Sequence, residues 1–293
     1  MDSLLLQSEA TIRLSSFVSL LLIFALWEAL NPRKIRALGR TERWFTNITL
    51  SVLNSLVLRF LFPVLAVECA LVAEDKGWGL LNLLSLPFWV EFVAALLLLD
   101  LAIYAQHVLT HHWHPLWRLH KVHHADRDVD VTTAIRFHPI EIAFSMALKI
   151  LLVLIIGPAA AAVIVFEIVL NGTAMFNHAN IRLPTSVDRI LRTVLVTPDM
   201  HRVHHSVLEA ETNSNYGFNL SLWDRLFGTY RPQPSAGHDG MTIGLAPYQG
   251  VQPANFVWSL ALPFQNDKVP DGSDDTQADN TTAASPGGTG ETS

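Results

Sequence analysis

The sequence predicts an all-α integral membrane protein, with about five apolar helical segments in hairpins and a cytoplasmic helical cap that carries a metal site. Half of the 293 residues are hydrophobic and 16% are charged, against roughly 25% charged in a typical soluble domain. Several apolar runs approach the ~20 residues that a helix needs to cross a bilayer core. Twelve of the thirteen histidines lie between His107 and His205.

Composition also excludes several functional classes. The net charge is −6, and part of the acidic excess lies in the C-terminal tail, so no nucleic-acid partner is expected. Cys69 is the single cysteine, which excludes a disulfide framework and a thiolate metal site. Any metal is therefore held by nitrogen and oxygen ligands.

The apolar runs fall at residues 12–30, 47–72, 86–107, 141–157 and 159–177. We interpret the first run as a retained membrane segment, because it lacks the basic region and cleavage site of a signal peptide. Pro63 is expected to kink the second run. The last two runs are short and meet at Gly157-Pro158, which is a turn signal.

Basic residues set the expected orientation. The loop after the first run carries Arg33, Lys34, Arg36, Arg40 and Arg43. The positive-inside rule then places residues 31–46 in the cytoplasm, and the third run returns the chain there with the first histidines. A metal site shared with the later histidines requires the stretch 141–177 to enter the membrane and come back. A hairpin that turns at Gly157 meets this requirement.

Eight histidines follow two repeating spacings, one HxxxH and two HxxHH motifs: His107, His111, His120, His123, His124, His201, His204 and His205. Spacings of three and four residues stack imidazoles on one helical face, and imidazole is the commonest side-chain metal ligand. Eight ligands exceed the four of one tetrahedral zinc site. The count predicts two metal ions with coordination positions left open.

Further candidates lie beside these motifs. Asp100 and Tyr104 share a helical stripe with His107 and His111. Asp100 is an intramembrane carboxylate, which is costly to bury, and it either orients a ligand histidine or pairs with another helix. His178 ends the stripe that Glu167, Asn171 and Ala174 begin, and we predict it to be a ninth ligand.

The roles of other polar residues stay open or are predicted to be structural. His138 either contributes to the metal site, as a ligand or a hydrogen-bond partner of one, or has a structural role, and Asn180 is a further candidate partner. His112 and His114 are expected to be structural or interfacial, and His238, in a Gly/Pro/Ser-rich stretch, to be solvated.

Two motifs follow the last histidines. Residues 215–217 (NYG) and 223–230 (WDRLFGTY) indicate an aromatic, amphipathic helix with a glycine stop, suited to packing or to a membrane interface. The metal chemistry by itself does not require them.

The combined motifs resemble the fatty acid hydroxylase superfamily, in its sterol desaturase branch. The resemblance covers roughly residues 95–232 and includes His178, in the sequence FNHAN. It implies a non-haem di-iron oxygenase that hydroxylates or desaturates lipid C–H bonds with O2 and two electrons. It also implies that the eight motif histidines are the metal ligands, and His178 matches an additional family histidine.

The expected organisation has four parts. These are N-terminal membrane helices in residues 1–94, a histidine-box domain in 95–232, a C-terminal extension in 233–265 and a disordered tail in 266–293, which is rich in Asp, Thr, Gly and Ser. The substrate stays open among sterols, hopanoids, carotenoids and fatty acyl or ether lipids.

Electrons are expected from an external reductase or a ferredoxin or cytochrome-type donor, because the chain carries no haem, CxxC or nucleotide-binding motif. A basic face around Arg118, Lys121 and Arg127 is a candidate docking site for this donor. The alternative function is a membrane zinc hydrolase or metal carrier without redox chemistry. Against it, the chain lacks the HExxH motif of zinc proteases. Zinc can also replace iron in overproduced protein, so bound zinc by itself does not decide between the two functions.

Overall fold

The computed structural model describes residues 8–266, in which helices and loops occur and no β-strand is present. This confirms the predicted all-α fold. The predicted disordered tail lies outside the described residues, apart from Asn266. The α-helices are α1 Glu9–Leu30, α2 Arg40–Leu61, α3 Ala66–Lys76, α4 Phe88–His112, α5 His114–His124, α6 Pro139–Ile156, α7 Ala160–His178, α8 Thr185–Leu191, α9 Pro198–His204, α10 Glu209–Thr212, α11 Leu222–Leu226, α12 Gly237–Gly240 and α13 Phe256–Ala261.

Five helical segments are long and apolar enough to cross a membrane, as predicted. They are Glu9–Leu30, Arg40–Leu83, Phe88–His112, Pro139–Ile156 and Ala160–His178. Large apolar side chains on α1 and α2, such as Leu22, Leu26 and Phe60, are exposed to the surroundings of the protein. A contiguous apolar surface of this kind is what a lipid environment covers.

The second apolar run is broken into two helices, so the predicted kink at Pro63 was wrong. Helix α2 ends at Leu61, and Phe62 adopts an extended conformation with φ −124° and ψ 89°. Proline lacks a backbone N–H and disfavours a helical conformation in the residue before it. The chain therefore leaves the helix at Phe62 and starts α3 at Ala66.

Helices α6 and α7 form the predicted hairpin. Helix α6 ends at Ile156, and Gly157 adopts the left-handed conformation with φ 66°. A Cβ atom at Gly157 would lie 2.4 Å from the carbonyl oxygen of Trp78, so only glycine fits this turn. The loop after α3 closes over the hairpin, where Leu80 N donates to Ile155 O at 2.8 Å.

The C-terminal ends of α1, α4 and α7 carry polar residues and lie near one another. This end of the bundle is opposite the Gly157 turn. Glu28, near the end of α1, accepts hydrogen bonds from Val131 N at 2.6 Å and Asn180 N at 2.8 Å. These bonds join the end of α1 to the loop after α5 and to the chain leaving α7. The bundle thus brings the two histidine-rich parts of the sequence to one end.

A buried polar network holds the loop that follows α5. Arg43, at the start of α2, is fully buried and donates to Asp126 Oδ1 and Asp130 Oδ2, each at 2.7 Å. Burial alone would raise the pKa of Asp126, but the guanidinium of Arg43 lowers it below its ordinary value. Arg136 donates to Asn47 Oδ1 at 2.8 Å in the same network. The network fixes α5, which carries three of the predicted ligands.

Candidate metal centre

One face of α4 docks along a single later segment, residues 213–230. The contacts join Asp100 to Trp223, Tyr104 to Thr229, His107 to Tyr216 and His111 to Asn213. The four residues of the predicted stripe therefore share one face of the helix. The segment that they contact is the one whose NYG and WDRLFGTY motifs had no role in the predicted chemistry.

The NYG motif has a backbone conformation that its neighbours enforce. Asn215 adopts φ 53°, and its side-chain amide donates to Met200 O at 2.9 Å. The carboxylate of Asp224 accepts from Tyr216 N at 2.8 Å and from Gly217 N at 2.9 Å. This turn places backbone carbonyl groups against candidate ligand rings, a contact that the sequence did not predict.

Backbone carbonyls fix the tautomers of three histidines. Nδ1 lies 2.7 Å from a carbonyl oxygen in three pairs, His107 with Tyr216, His204 with Ser214, and His178 with Ala174. A carbonyl oxygen only accepts, so Nδ1 carries the proton and Nε2 keeps its lone pair. All three rings therefore present Nε2 as a metal-ligating atom.

These lone pairs face one another. Nε2 of His107 lies 3.0 Å from Nε2 of His204, and neither atom carries a proton in the tautomers that the carbonyls select. Burial lowers the pKa of His204 to about 3, so protonation does not turn this contact into a hydrogen bond at neutral pH. Two nitrogen ligands at roughly 2.0–2.1 Å from one metal ion lie about 2.9–3.4 Å apart. The contact fits a pair of ligands to a shared cation.

The nine predicted ligands fall into two groups, and within each group the candidate ligand atoms lie within 4.8 Å of one another. The five-histidine group contains His107, His111, His120, His124 and His204, and the four-histidine group contains His123, His178, His201 and His205. In the second group, Nε2 of His178 lies 3.1 Å from Nε2 of both His123 and His201. Two groups match the prediction of two metal positions.

Each HxxHH motif is divided between the two groups. His120 and His124 belong to the five-histidine group, while His123 belongs to the other. The later motif divides in the opposite sense, because only its middle histidine, His204, joins the five-histidine group. The rings of His124 and His205 stack with centroids 4.6 Å apart. The duplicated motif thus supplies ligands to two adjacent positions at once.

Several nitrogens of these buried rings have no hydrogen-bond partner among the described residues. All nine histidines are at most 9% exposed, and burial lowers the pKa of His123, His124, His201 and His205 well below the ordinary value. Among residues 8–266, no hydrogen-bond partner is present for Nε2 of His111, His124 and His205. Buried polar atoms without partners are costly, and metal ligation would satisfy them.

Glu141 contacts a candidate ligand histidine and was missed in the sequence. Its Oε1 lies 2.6 Å from Nδ1 of His120, so the carboxylate keeps the proton on Nδ1 and leaves Nε2 with its lone pair. Glu141 lies three residues after His138, in the sequence HPIE. His138 was predicted as a partner instead of Glu141, although a carboxylate is a usual partner of a ligand imidazole.

The three candidate hydrogen-bond partners contact groups other than ligand rings. Asp100 accepts from Trp223 Nε1 at 2.8 Å, and His138 caps α6 by accepting from Ile140 N at 3.2 Å. The side-chain oxygen of Asn180 accepts from Lys34 N at 2.9 Å. These residues hold the elements that carry the site.

Two surface predictions were wrong because the C-terminal extension packs against the rest of the protein: it buries Lys121, and its own His238 is buried against the segment that carries Asp199. His238 is 7% exposed rather than solvated, and lies 3.7 Å from the carboxylate of Asp199. Lys121 is 1% exposed, so it is not part of a basic docking face. Arg118 and Arg127 instead donate to backbone carbonyls of this extension. Exposed His112 and His114 stay outside both histidine groups, as predicted.

A cavity of about 390 Å³ leads from the five-histidine group into the membrane-spanning bundle. His107 and His120 line it at one end, together with Glu141. Helices α1, α2, α4, α6 and α7 contribute its walls. The cavity gives a molecule from the bilayer a space next to the candidate metal ligands.

Comparison with known proteins identifies the part of the chain that carries this site. Residues 92–229 match the family model described as fatty acid hydroxylase. This part of the chain is therefore similar to a fatty acid hydroxylase domain. The matched residues contain the nine histidines, Glu141 and the NYG motif, and the first three helices, α1 to α3, lie outside them.

Relatives of the chain include a lipid hydroxylase and alkylglycerol monooxygenases. The chain is 32% identical over 180 residues to an ornithine lipid hydroxylase of Rhizobium tropici, covering 61% of this chain and 51% of the relative. It is 29% identical over 185 residues to an alkylglycerol monooxygenase of Xenopus tropicalis (60% and 39% covered) and 25% identical over 222 residues to the human alkylglycerol monooxygenase (73% and 46%). The chain spans about half the length of these relatives, or less. No solved structure matches the chain.

Proposed function

We propose that the chain is a membrane-bound di-iron oxygenase that hydroxylates a C–H bond of a polar lipid with O2 and electrons from an external donor. The observation that carries this proposal is the opposition of imidazole lone pairs in two adjacent groups at the end of a cavity inside the bundle. Imidazole ligands suit iron, copper, nickel and zinc alike. The fatty acid hydroxylase family supports iron among these metals.

The relatives and the cavity both support a lipid with a polar headgroup. The relatives are named as an ornithine lipid hydroxylase and as alkylglycerol monooxygenases. Polar side chains from several helices line the cavity, including Ser51, Asn54, Gln106 and Asn171. The hydrocarbon skeleton of a sterol, hopanoid or carotenoid would desolvate these groups without pairing them.

The residues of this chain would bind, orient and protect the reacting groups. The two histidine groups would hold the metal ions, and iron, when bound, supplies the redox chemistry by which O2 oxidises an unactivated carbon. The carbonyls of Tyr216 and Ser214, with Glu141, keep protons on Nδ1 and direct the lone pairs inward. Burial of the rings excludes bulk water, and the cavity places the lipid next to His107 and His120.

The site is proposed to face the cytoplasm, where reduced ferredoxins, cytochromes and reductases are available. Five basic residues in positions 33–43 support this orientation under the positive-inside rule. A reporter fused after residue 266 tests the orientation, since it should be active only when it stays in the cytoplasm. Activity of a reporter that requires export would contradict the proposal.

The function is tested by metal analysis combined with isotope labelling. We expect protein from iron-replete cells to hold two iron atoms per chain and to give the Mössbauer spectrum of a coupled pair. With ¹⁸O2, a lipid extract and a reduced donor, one ¹⁸O atom should appear in a lipid product. Protein that binds zinc alone, and that gives no labelled lipid after reconstitution with iron, would contradict the proposal and support the zinc metalloprotein.

A further inference from the structure

Three charged residues contact one another at the cavity wall inside the bundle. None of them belongs to either histidine group. Glu167 of α7 accepts from Lys149 of α6 at 2.8 Å and from Arg13 of α1 at 2.7 Å. All three line the cavity. Ionisable residues within membrane-spanning helices are costly and commonly serve function.

A purely structural ion pair explains only part of this cluster. Lys149 and Glu167 alone already join α6 to α7. Arg13 adds a second cation to the same carboxylate and also pairs with Glu9, one turn earlier on α1. The charges of these four residues cancel, so an attraction for an anion must come from N–H groups without acceptors.

The two cations hold more donors than the described residues use. An ammonium has three N–H groups, and Lys149 gives one to Glu167, its only acceptor among residues 8–266. A guanidinium has five, and Arg13 pairs with Glu9 and Glu167 within the same residues. The side chains of Lys149 and Arg13 are 17% and 31% exposed. Both therefore retain donors for a ligand that supplies acceptors.

The end of the cavity near the histidines carries unpaired hydrogen-bond acceptors instead of unused donors. Asn54 Oδ1 and Glu141 Oε2 are buried acceptors without a hydrogen-bond partner among the described residues, and both residues line the cavity. Asn54 and Glu141 are 6% and 4% exposed. Lys149 lies about 12 Å along α6 from Glu141, because it is eight residues further on the helix. The cavity thus offers acceptors near the metal centre and donors about two turns deeper.

We propose that Arg13 and Lys149, bridged by Glu167, form the subsite that binds the anionic group of the lipid substrate, a carboxylate or a phosphate. This inference rests on the proposed function, and it assigns the cluster the role of fixing which carbon of the lipid lies beside His107 and His120.

Binding of paired probes by the full chain in a neutral maltoside detergent tests the subsite. The carboxylate pair is N-hexadecanoylglycine and its carboxamide, and the phosphate pair is hexadecyl phosphate and hexadecanol. In the native protein we expect the anionic member of at least one pair to bind about tenfold more tightly or better. The pair that shows this preference identifies the source of the anion.

Two lysine variants separate the subsite from general effects of charge. Lys149→Met should bring the affinity ratio of the preferred pair close to one while the neutral member binds as before. Lys76→Met is the matched control, since Lys76 is exposed and outside the cavity lining, and it should keep the native ratio. Retention of the ratio in Lys149→Met would overturn the proposal.

Native protein alone also decides the question if Lys149→Met fails to fold. A native ratio near one in both pairs overturns the subsite, whatever the variants show. The assay needs no turnover, so it remains informative if the protein contains no iron or produces no labelled lipid. Failure of the proposed oxygenase activity is therefore distinguishable from failure of the subsite.

Discussion

Replacing Glu141 by alanine should weaken metal binding in one histidine group and spare the other. Glu141 Oε1 lies 2.6 Å from Nδ1 of His120, and His120 belongs to the five-histidine group. In the four-histidine group, a backbone carbonyl fixes a tautomer, that of Ala174 against Nδ1 of His178. No side-chain substitution removes that carbonyl, so the two groups should respond differently.

The expected loss of metal affinity follows from the type of contact between Glu141 and His120. Loss of a hydrogen-bond partner of a ligand imidazole typically costs 10–100-fold in metal affinity, which corresponds to roughly 1.4–2.8 kcal/mol. Glu141→Gln keeps an oxygen that accepts from Nδ1 but removes the negative charge. We therefore expect a loss near the lower end of this range for Glu141→Gln and nearer the upper end for Glu141→Ala.

The assay measures metal per chain across a series of chelator-buffered free-metal concentrations. Native protein should retain two equivalents, and in Glu141→Ala one equivalent should require a 10–100-fold higher free-metal concentration. The other equivalent should keep its native midpoint. Glu74→Gln is the control, because Glu74 is exposed on α3 and contacts neither group. A common shift of both equivalents, or no shift, would refute the assignment of Glu141 to one group.

Three further predictions use the same preparations. His204→Ala should lose metal from the five-histidine group, whereas exposed His114→Ala should keep both equivalents; equal retention in both would contradict the ligand assignment. Asp224→Ala leaves the N–H groups of Tyr216 and Gly217 without their acceptor, so it should lower stability by roughly 2–4 kcal/mol; an unchanged Tm would contradict this role. Burial lowers the pKa of His204 to about 3, so the folded ring stays neutral at pH 5 while the unfolded chain takes up a proton below about pH 6.5. Metal-free protein should thus lose about 2 kcal/mol for each such ring between pH 7 and 5, and little between pH 8 and 7; equal stability at pH 7 and 5 would contradict it.

The candidate ligands were predictable because their spacing is a local property of a helix. In α5, the spacing of His120, His123 and His124 puts rings on neighbouring positions of one or two turns. The hairpin was predictable as well, since Gly157-Pro158 interrupts an apolar stretch too long for one span. Both patterns depend on a few neighbouring residues, so they can be recognised without knowledge of the tertiary structure.

The division of the motifs into two groups was not predictable in the same way. Whether His123 joins His124 or His178 depends on how α5 and α7 are rotated about their axes. The role of residues 213–216 was hidden for another reason, because Tyr216 and Ser214 act through backbone carbonyls, which every residue possesses. Glu141 was overlooked because its distance in sequence from His120 exceeds any helical spacing.

Burial by tertiary contacts explains why Lys121 and His238 were wrongly predicted to be exposed. Polar residues such as Lys121 and His238 are usually exposed, and only the packing of the C-terminal extension buries them. The basic residues that predicted the orientation also have structural partners, since Arg43 pairs with Asp126 and Asp130. Part of the positive charge on this loop therefore serves folding rather than topology.

Opposed lone pairs at the centre require a scaffold that resists their separation. The contact of 3.0 Å between His107 and His204 is repulsive for two neutral imidazoles of the same tautomer, so the rings would turn away if their other nitrogens were free. The carbonyls of Tyr216 and Ser214 oppose this rotation, and Asp224 holds the turn that presents the Tyr216 carbonyl. The segment 213–230 thus stabilises a geometry that only a bound cation makes favourable, which is the physical reason that a non-ligating motif accompanies the histidines.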